Sequence, residues 1–411
     1  MADAARALLR ELRKRAPRIA RTLARFVRAE SPSTNKRALD RFARIVAAEW
    51  KRRGANVRIV RQSAAGDHVR VEWRAAAARD DAATSRGEAT SVRGATAAIR
   101  VDVARARSDA PILVLGHLDT VYDIGTLAKN PFRVRGGRAF GPGIFDMKSG
   151  LAIALHAVDA LRALKLAPRR PVVFLWTSDE EIGSRNSRAA VEREARASCA
   201  VLVLEPAAGA HGDLKTARKG VGEATLEVTG RSSHAGLAPE RGVNAVLELA
   251  LQIARLRRFN RPKRGVSVNA DVIEGGTRPN VIPDHAKALV DLRAPNVREM
   301  RALERKLRAL RPILPGAKLA VRGGFNRPPL EARMSKDLYA RAARIARQMG
   351  LRIGGCAVGG GSDGNFTAAI GVPTLDGMGG VGGGAHSREE FVLLRSLPER
   401  AALLAAMFLE L

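Results

Sequence analysis

Five residues of ligand type close or follow apolar runs along this chain, and packing gives none of them a reason to be there. The run Val114-Leu115-Gly116 ends in His117, with Asp119 two residues on. A histidine so placed can bind a metal through one ring nitrogen, while the aspartate holds the other nitrogen and fixes the tautomer. Asp146 follows Gly141-Pro142-Gly143 just before a helical pattern, and Glu181 lies in Asp179-Glu180-Glu181 after the run 171–176. Glu205 closes Val201-Leu202-Val203-Leu204, and His386 follows the glycines 382–384. Any one of these alone reads as a structural residue or a solvated turn. Their recurrence at successive strand ends does not, because open α/β sheets gather ligands outside the carboxyl ends of their strands. Two histidines and three carboxylates suit a pair of zinc-like ions, with one bridging carboxylate and one histidine plus one further carboxylate for each ion. Glu180 is left over beside Glu181, placed to act as a general base that takes a proton from the attacking water and returns it to the leaving amine. His68, His156, His211 and His285 lack such neighbours and read as structural.

The elements that must position these residues alternate. Residues 3–29 read as one amphipathic helix, and Ser31-Pro32-Ser33-Thr34-Asn35 breaks it and caps a second helix over 36–53. Strands are expected at 57–60, 69–73, 97–103, 111–116, 171–176 and 200–204, and helices at 149–165 and 184–197. The runs 111–116 and 171–176 are continuously apolar, as in a sheet covered on both faces. Residues 75–96 lack apolar periodicity and read as a surface insertion or loose hairpin. From 219 the order becomes strand 222–230, helix 242–258, strands 265–274 and 285–293, helix 297–310 and strand 318–322. That β-α-β-β-α-β order is the ferredoxin-like split pattern. After Asn326-Arg327-Pro328-Pro329 the α/β texture returns. The expected organisation is a three-layer α/β catalytic domain, residues 1–218 and 329–411, with an α+β domain inserted at 219–328.

At 411 residues the chain is long enough for two domains, and 46% hydrophobic with 27% charged residues is a globular composition. Cys199 and Cys356 lack zinc-cluster spacing and read as reduced thiols. The chain has no run of 18 or more apolar residues and no signal-peptide core near its start, so a cytoplasmic protein without membrane partner is expected. The formal net charge of +30 invites a nucleic-acid-binding reading, but the arginines are spread along the whole chain and aromatic content is only 4%. Solvated arginine faces, and a field that attracts anionic substrates, account for it better, and no specific nucleic-acid partner is expected.

These residues resemble a known family, the zinc exopeptidases and amidohydrolases that include acetylornithine deacetylase, succinyl-diaminopimelate desuccinylase, aminoacylase and glutamate carboxypeptidase. The resemblance rests on His117-Leu118-Asp119-Thr120-Val121, Gly141-Pro142-Gly143 through Asp146-Met147-Lys148, Asp179-Glu180-Glu181-Ile182-Gly183-Ser184, Glu205-Pro206, Ser233-His234-Ala235-Gly236 and His386-Ser387, in that order. With Glu205-Pro206, Tyr122 and Gly359-Gly360-Gly361-Ser362-Asp363 it is most similar to the carboxypeptidase G-type glutamate carboxypeptidases. The resemblance implies two zinc ions per subunit, with cobalt or manganese as substitutes. Asp146 would bridge them, His117 and Glu205 would complete one ion, and Glu181 and His386 the other, with a cis Asp146–Met147 bond. It implies that the inserted domain is a lid and homodimerisation domain whose His234 polarises the scissile carbonyl in the partner subunit's site. Asn280 would hold the oxyanion or substrate, and Arg293 would clamp the substrate carboxylate through its fork. The substrate would be a small acylated amino acid or peptide with a free carboxylate, cleaved at its amide. A deacylase of the acetylornithine or desuccinylase type is the alternative, and a basic nucleic-acid-binding protein the remote one. Two features depart from the family, the long loose segment 75–96 and the glycine-rich run 377–384 before His386.

Overall fold

The computed structural model describes residues 1–75 and 109–411. The loose segment expected from 75 and the strand expected at 97–103 therefore lie, Ala75 apart, outside the described residues. The chain forms two compact units. The first comprises Met1–Thr216, Ala332–Cys356 and Phe366–Leu411, and the second Ala217–Glu331 with Ala357–Asn365.

The first unit is built on a six-stranded sheet in the order 56–60, 68–73, 172–177, 112–117, 200–203, 374–375. The strands from 172–177 onward are parallel to one another, while 56–60 and 68–73 form an antiparallel margin. Every residue of Ile112–His117 and Val172–Thr177 is buried, because alternate side chains enter two cores. Ile112 and Val114 join a large core with Trp50, Leu155 and Phe408, while Leu113 and Leu115 join a smaller one with Val191, Ala195 and Phe366. Each such leucine or valine contributes about 1.5–3 kcal/mol by leaving water. A polar residue on either face of these strands would therefore be costly, and chemistry is confined to their ends.

The expected helix 3–29 is instead two helices, Ala2–Lys14 and Ala16–Val27. Pro17 supplies no N–H and restarts the helix in its first turn. Helix Lys36–Arg52 begins as expected, with the Asn35 side chain accepting from the Ala38 amide at 3.0 Å.

The second unit is a four-stranded antiparallel sheet in the order 267–275, 285–294, 220–229, 318–327, with helices Ala245–Arg257 and Val297–Arg308. That is the ferredoxin-like order. Strand His285–Ala294 alternates strictly, burying Ala286, Ala288, Val290, Leu292 and Ala294 on one face. The last strand runs to Arg327 rather than 322. Gly323 and Gly324 adopt φ of +86° and +145°, and the pairing shifts register between Phe325 and Arg327, so the strand bends there and continues. Residues 357–365 belong to this unit, as do 329–331, while the rest of 332–411 belongs to the first. Arg218 Nη1 donates to the carbonyls of Gly360 (3.1 Å) and Gly361 (2.9 Å), and Asn365 Nδ2 to those of Lys219 and Pro328. No helix among the described residues is long and apolar enough to cross a membrane.

Candidate metal centre

Strand register explains how residues far apart in sequence meet. In the first unit Leu115 pairs with Val203 in the parallel ladder, so two residues further along, His117 and Glu205 emerge side by side. His117 Nε2 lies 3.4 Å from Glu205 Oε1. His117 is the last residue of its strand, not the first beyond it, and is 1% exposed. Its Nδ1 is 2.9 Å from the Asp119 carbonyl oxygen and 3.4 Å from the Asp119 carboxylate. An Nδ1–H donated to these oxygens leaves Nε2 turned toward Glu205 and Asp146 with its lone pair.

Asp119 does more than face the ring. Its buried carboxylate accepts from Ser33 Oγ at 2.8 Å and from the backbone amides of Glu181 at 3.1 Å and Glu180 at 3.3 Å. It thereby holds the short 3₁₀ turn Glu180–Ile182 as well as the imidazole. Burial pushes the Asp119 carboxyl up, yet hydrogen bonding and charge from His117, with the Ser33 bond, hold it below its ordinary value.

Asp146 lies between the two histidines. Its Oδ1 is 3.3 Å from His117 Nε2 and its Oδ2 is 3.5 Å from His386 Nε2, while His386 Nε2 is 3.2 Å from Glu181 Oε2. The Asp146–Met147 bond is cis. The turn before it needs Gly143 at φ +69°, where a Cβ would stand 2.5 Å from Thr120 Cγ2. Glu180 is also buried, and one oxygen of it falls within 4.8 Å of ligand atoms of His117 and Glu205. The same spacing groups His117, Asp146 and Glu181.

The residues fit a cation. Glu181 Oε1 is buried with no hydrogen-bond partner among the described residues, a costly state for a carboxylate unless an ion faces it. Without a cation, protons must do its work. Hydrogen bonds to Asp146 and Glu181 push the His386 imidazole up to about 10. Burial alone would depress His117, but its bonds to Asp119, Asp146 and Glu205 carry it well above the ordinary histidine value. Burial likewise works against ionised Asp146, but His117 and His386, with Lys215 further off, hold that carboxyl well below the usual range. Imidazole nitrogens and carboxylate oxygens in this ratio are a zinc-type donor set.

The centre thus gathers His117, Asp119, Asp146, Glu180, Glu181, Glu205 and His386. The remaining sequence candidates lie in the second unit. His234 is exposed in the two-residue strand Ser233–His234, paired with Val281–Ile282, and its Nδ1 accepts from the amides of Gly236 (3.1 Å) and Leu237 (3.2 Å). The Asn280 carbonyl accepts from the Ala235 amide at 2.9 Å, so His234 and Asn280 are neighbours. Arg293 has its fork engaged by Asp291, Nη2 to Oδ2 at 2.8 Å and Nε to Oδ1 at 3.0 Å. Ser33, Lys215 and Glu390 were missed in the sequence. Ser33 lies inside a helix-capping string, Lys215 has no motif around it, and Glu390 follows Glu389 with no motif to set it apart.

The profile of peptidase family M20/M25/M40 matches residues 113–410. The chain belongs to this family. It is 32% identical over 312 residues to carboxypeptidase G2 of Pseudomonas sp. (strain RS-16), covering 75% of each chain. It is 30% identical over 322 residues to succinyl-diaminopimelate desuccinylase of Dechloromonas aromatica (strain RCB), covering 73% of this chain and 83% of that one. In fold it matches the crystal structure of aminopeptidase PepT from Bacillus cereus with a TM-score of 0.74 at 21% identity, over 96% of this chain and 98% of the other. This M20/M25/M40 member is therefore a metallopeptidase or amidohydrolase enzyme, with the fold of a catalytic domain carrying an inserted domain.

Proposed function

We propose that the protein is a di-zinc hydrolase that cleaves the amide bond of an N-acyl amino acid or small peptide with a free carboxylate, in the manner of a glutamate carboxypeptidase. The observation that carries this reading is Asp146, whose two oxygens face His117 and His386 from opposite sides. In this assignment Asp146 is the shared ligand, His117 and Glu205 serve one ion, and Glu181 and His386 the other. Bound zinc supplies an acidified water and a Lewis acid for the carbonyl. Glu180 accepts the proton of the attacking water and delivers it to the leaving amine. Asp119 keeps His117 in the tautomer that exposes Nε2. His234, acting in trans from a second copy of the chain, and Asn280 steady the carbonyl oxygen as charge develops on it. Arg293 clamps the substrate carboxylate, exchanging Asp291 for it.

The homodimer that such a trans contribution requires is supported by the edge of the second unit's sheet. Val272 and Ile273 on the outermost strand 267–275 are 45% and 58% exposed, with Leu247 of the adjoining helix 49% exposed. Ile273→Lys is expected to shift the protein to a monomer by analytical ultracentrifugation, and an unchanged dimer would move the interface elsewhere. A cytoplasmic location is proposed from the sequence alone.

The substrate test is a panel of acyl-amino acids and dipeptides ending in glutamate, aspartate or an apolar residue, given to zinc-loaded protein and read as free amino acid released. Release of carboxy-terminal glutamate is the expected result. Cleavage confined to acetylornithine or succinyl-diaminopimelate would favour the deacylase reading, which the 30% identity to a desuccinylase keeps in play. A steep salt-dependent, base-selective affinity for DNA in a protein that cleaves nothing would favour the nucleic-acid reading.

A further inference from the structure

Glu390 lies four residues beyond His386, on the segment between the short strands Gly382–Gly383 and Phe391–Leu393. It is fully buried, and its carboxylate gathers four donors. Oε2 accepts from the Tyr122 hydroxyl at 2.6 Å and the Gly143 amide at 2.9 Å, and Oε1 accepts from the amides of Phe145 at 2.8 Å and Asp146 at 2.9 Å. The loop that carries Asp146 therefore has three of its amides tied to one side chain. The same Tyr122 hydroxyl also lies 2.9 Å from the Ser387 carbonyl oxygen, one residue beyond His386. Downstream, Phe391 pairs with Phe140 just before the Gly141 turn. Glu390 is thus the point at which the Asp146 loop and the His386 loop are fastened to each other.

We propose that Glu390 is a positioning residue that fixes Asp146 against His386 and so sets the metal affinity of the centre. The proposal rests on the reading that Asp146 and His386 are ligands. His386 gives it purchase. That residue stands in the left-handed region at φ +62°, and its side chain is 50% exposed. Packing alone does not hold such a conformation in a non-glycine residue. Buried amides that lost their acceptor would rearrange to find another, and the Asp146 carboxylate would move with them. Glutamine cannot substitute, because each oxygen of Glu390 receives two donors. An amide group would set its own N–H₂ against Phe145 and Asp146 or against Gly143 and Tyr122.

The test uses the full chain, stripped of metal and titrated with Zn²⁺ against a chromophoric chelator, with the visible absorption of a Co²⁺-loaded sample as a second readout. Glu390→Gln is expected to weaken binding by about 10–100-fold, as loss of a group that orients a ligand does, and to alter the Co²⁺ bands while the circular dichroism stays native. Tyr122→Phe, which removes one donor of four, is expected to weaken it by about threefold at most, below that range. A folded Glu390→Gln with wild-type affinity and spectrum would overturn the proposal. Should Glu390→Gln fail to fold, Glu390→Asp decides: weaker binding supports the role and unchanged binding overturns it. Asp146→Asn and His386→Ala in the same titration separate the two levels. If they lose metal and the Glu390 variants do not, only the positioning role falls. If they also bind like wild type, the ligand assignment falls and takes the positioning role with it.

Discussion

His117 and His386 approach the same carboxylate from opposite sides, but the chain holds them in different ways. His117 ends a central strand, is 1% exposed, and has its Nδ1 taken up by Asp119. His386 sits in a loop at φ +62° with half its side chain in solvent. The sheet side of the centre, His117, Glu205 and the turn of Glu180, is fixed by strand register and comes with the fold. The loop side is assembled by hydrogen bonds from Tyr122 and Glu390 across short strands of two or three residues. On the proposed two-ion reading, a site of this construction would have one half that is costly to lose structurally and one half that could be removed with the fold intact.

The most severe way to break the comparison is to remove what the halves share. Asp146→Ala is expected to lower activity by on the order of a thousandfold or more and to strip most of the metal, measured by elemental analysis of the purified protein. Next is Glu180, the one carboxylate assigned to proton transfer. Glu180→Ala should lose activity by about 10²–10⁴-fold with metal content unchanged. Loss of metal instead would make Glu180 a ligand of the sheet half, as its closeness to His117 and Glu205 allows.

A third histidine sharpens what burial does when the one carboxylate beside it, Asp159 at 3.6 Å, is too weak to offset it. His156 is buried, though less deeply than His117, and burial pushes it down to about 4, whereas the carboxylates around His117 drive that imidazole up. The signs therefore oppose. The folded state binds fewer protons than the unfolded state at His156, so stability at this residue is present above about pH 6.5 and is lost as pH falls toward 4, by about 3 kcal/mol in all. The raised histidines work the other way in metal-free protein. Their contribution is complete below about pH 6.5 and is lost as pH rises, through about 10 for His386. Urea titrations of metal-free wild type and His156→Gln at pH 7 and 4.5 should show the variant losing less stability on acidification. Equal losses would refute the assignment.

The smallest expected effect separates the two halves directly. His117→Ala leaves the buried Asp119 carboxylate without its ring partner and should cost about 1–3 kcal/mol of metal-free stability. His386→Ala, at a half-exposed position, should cost under about 1 kcal/mol. Equal destabilisation would show that the loop is as much a part of the core as the strand.

The sheet half was also the half most legible in the sequence. An apolar run such as Val114-Leu115-Gly116-His117 announces both a doubly covered strand and the polar residue at its end, because no other place in such a strand tolerates one. The ferredoxin-like order was legible for a similar reason, since one-sided strands alternate. What escaped depends on contacts distant in sequence. Glu390 acts through backbone amides more than two hundred residues earlier, and an amide has no residue identity to read. Pro17 cuts a helix whose apolar face continues past it, and the last strand of the second unit bends at Gly323 and Gly324 and runs beyond 322. Residues 357–365 joined the second unit through hydrogen bonds to glycine carbonyls, which carry no pattern at all.

The central claim is that one carboxylate joins a sheet half and a loop half into a two-ion centre. It is tested most directly by the zinc stoichiometry of the stripped protein, by isothermal titration, in wild type and His386→Ala. The expected result is two equivalents per chain in wild type and one in the variant, with the remaining ion held by the sheet half. One equivalent in both proteins, or two in both, would contradict it.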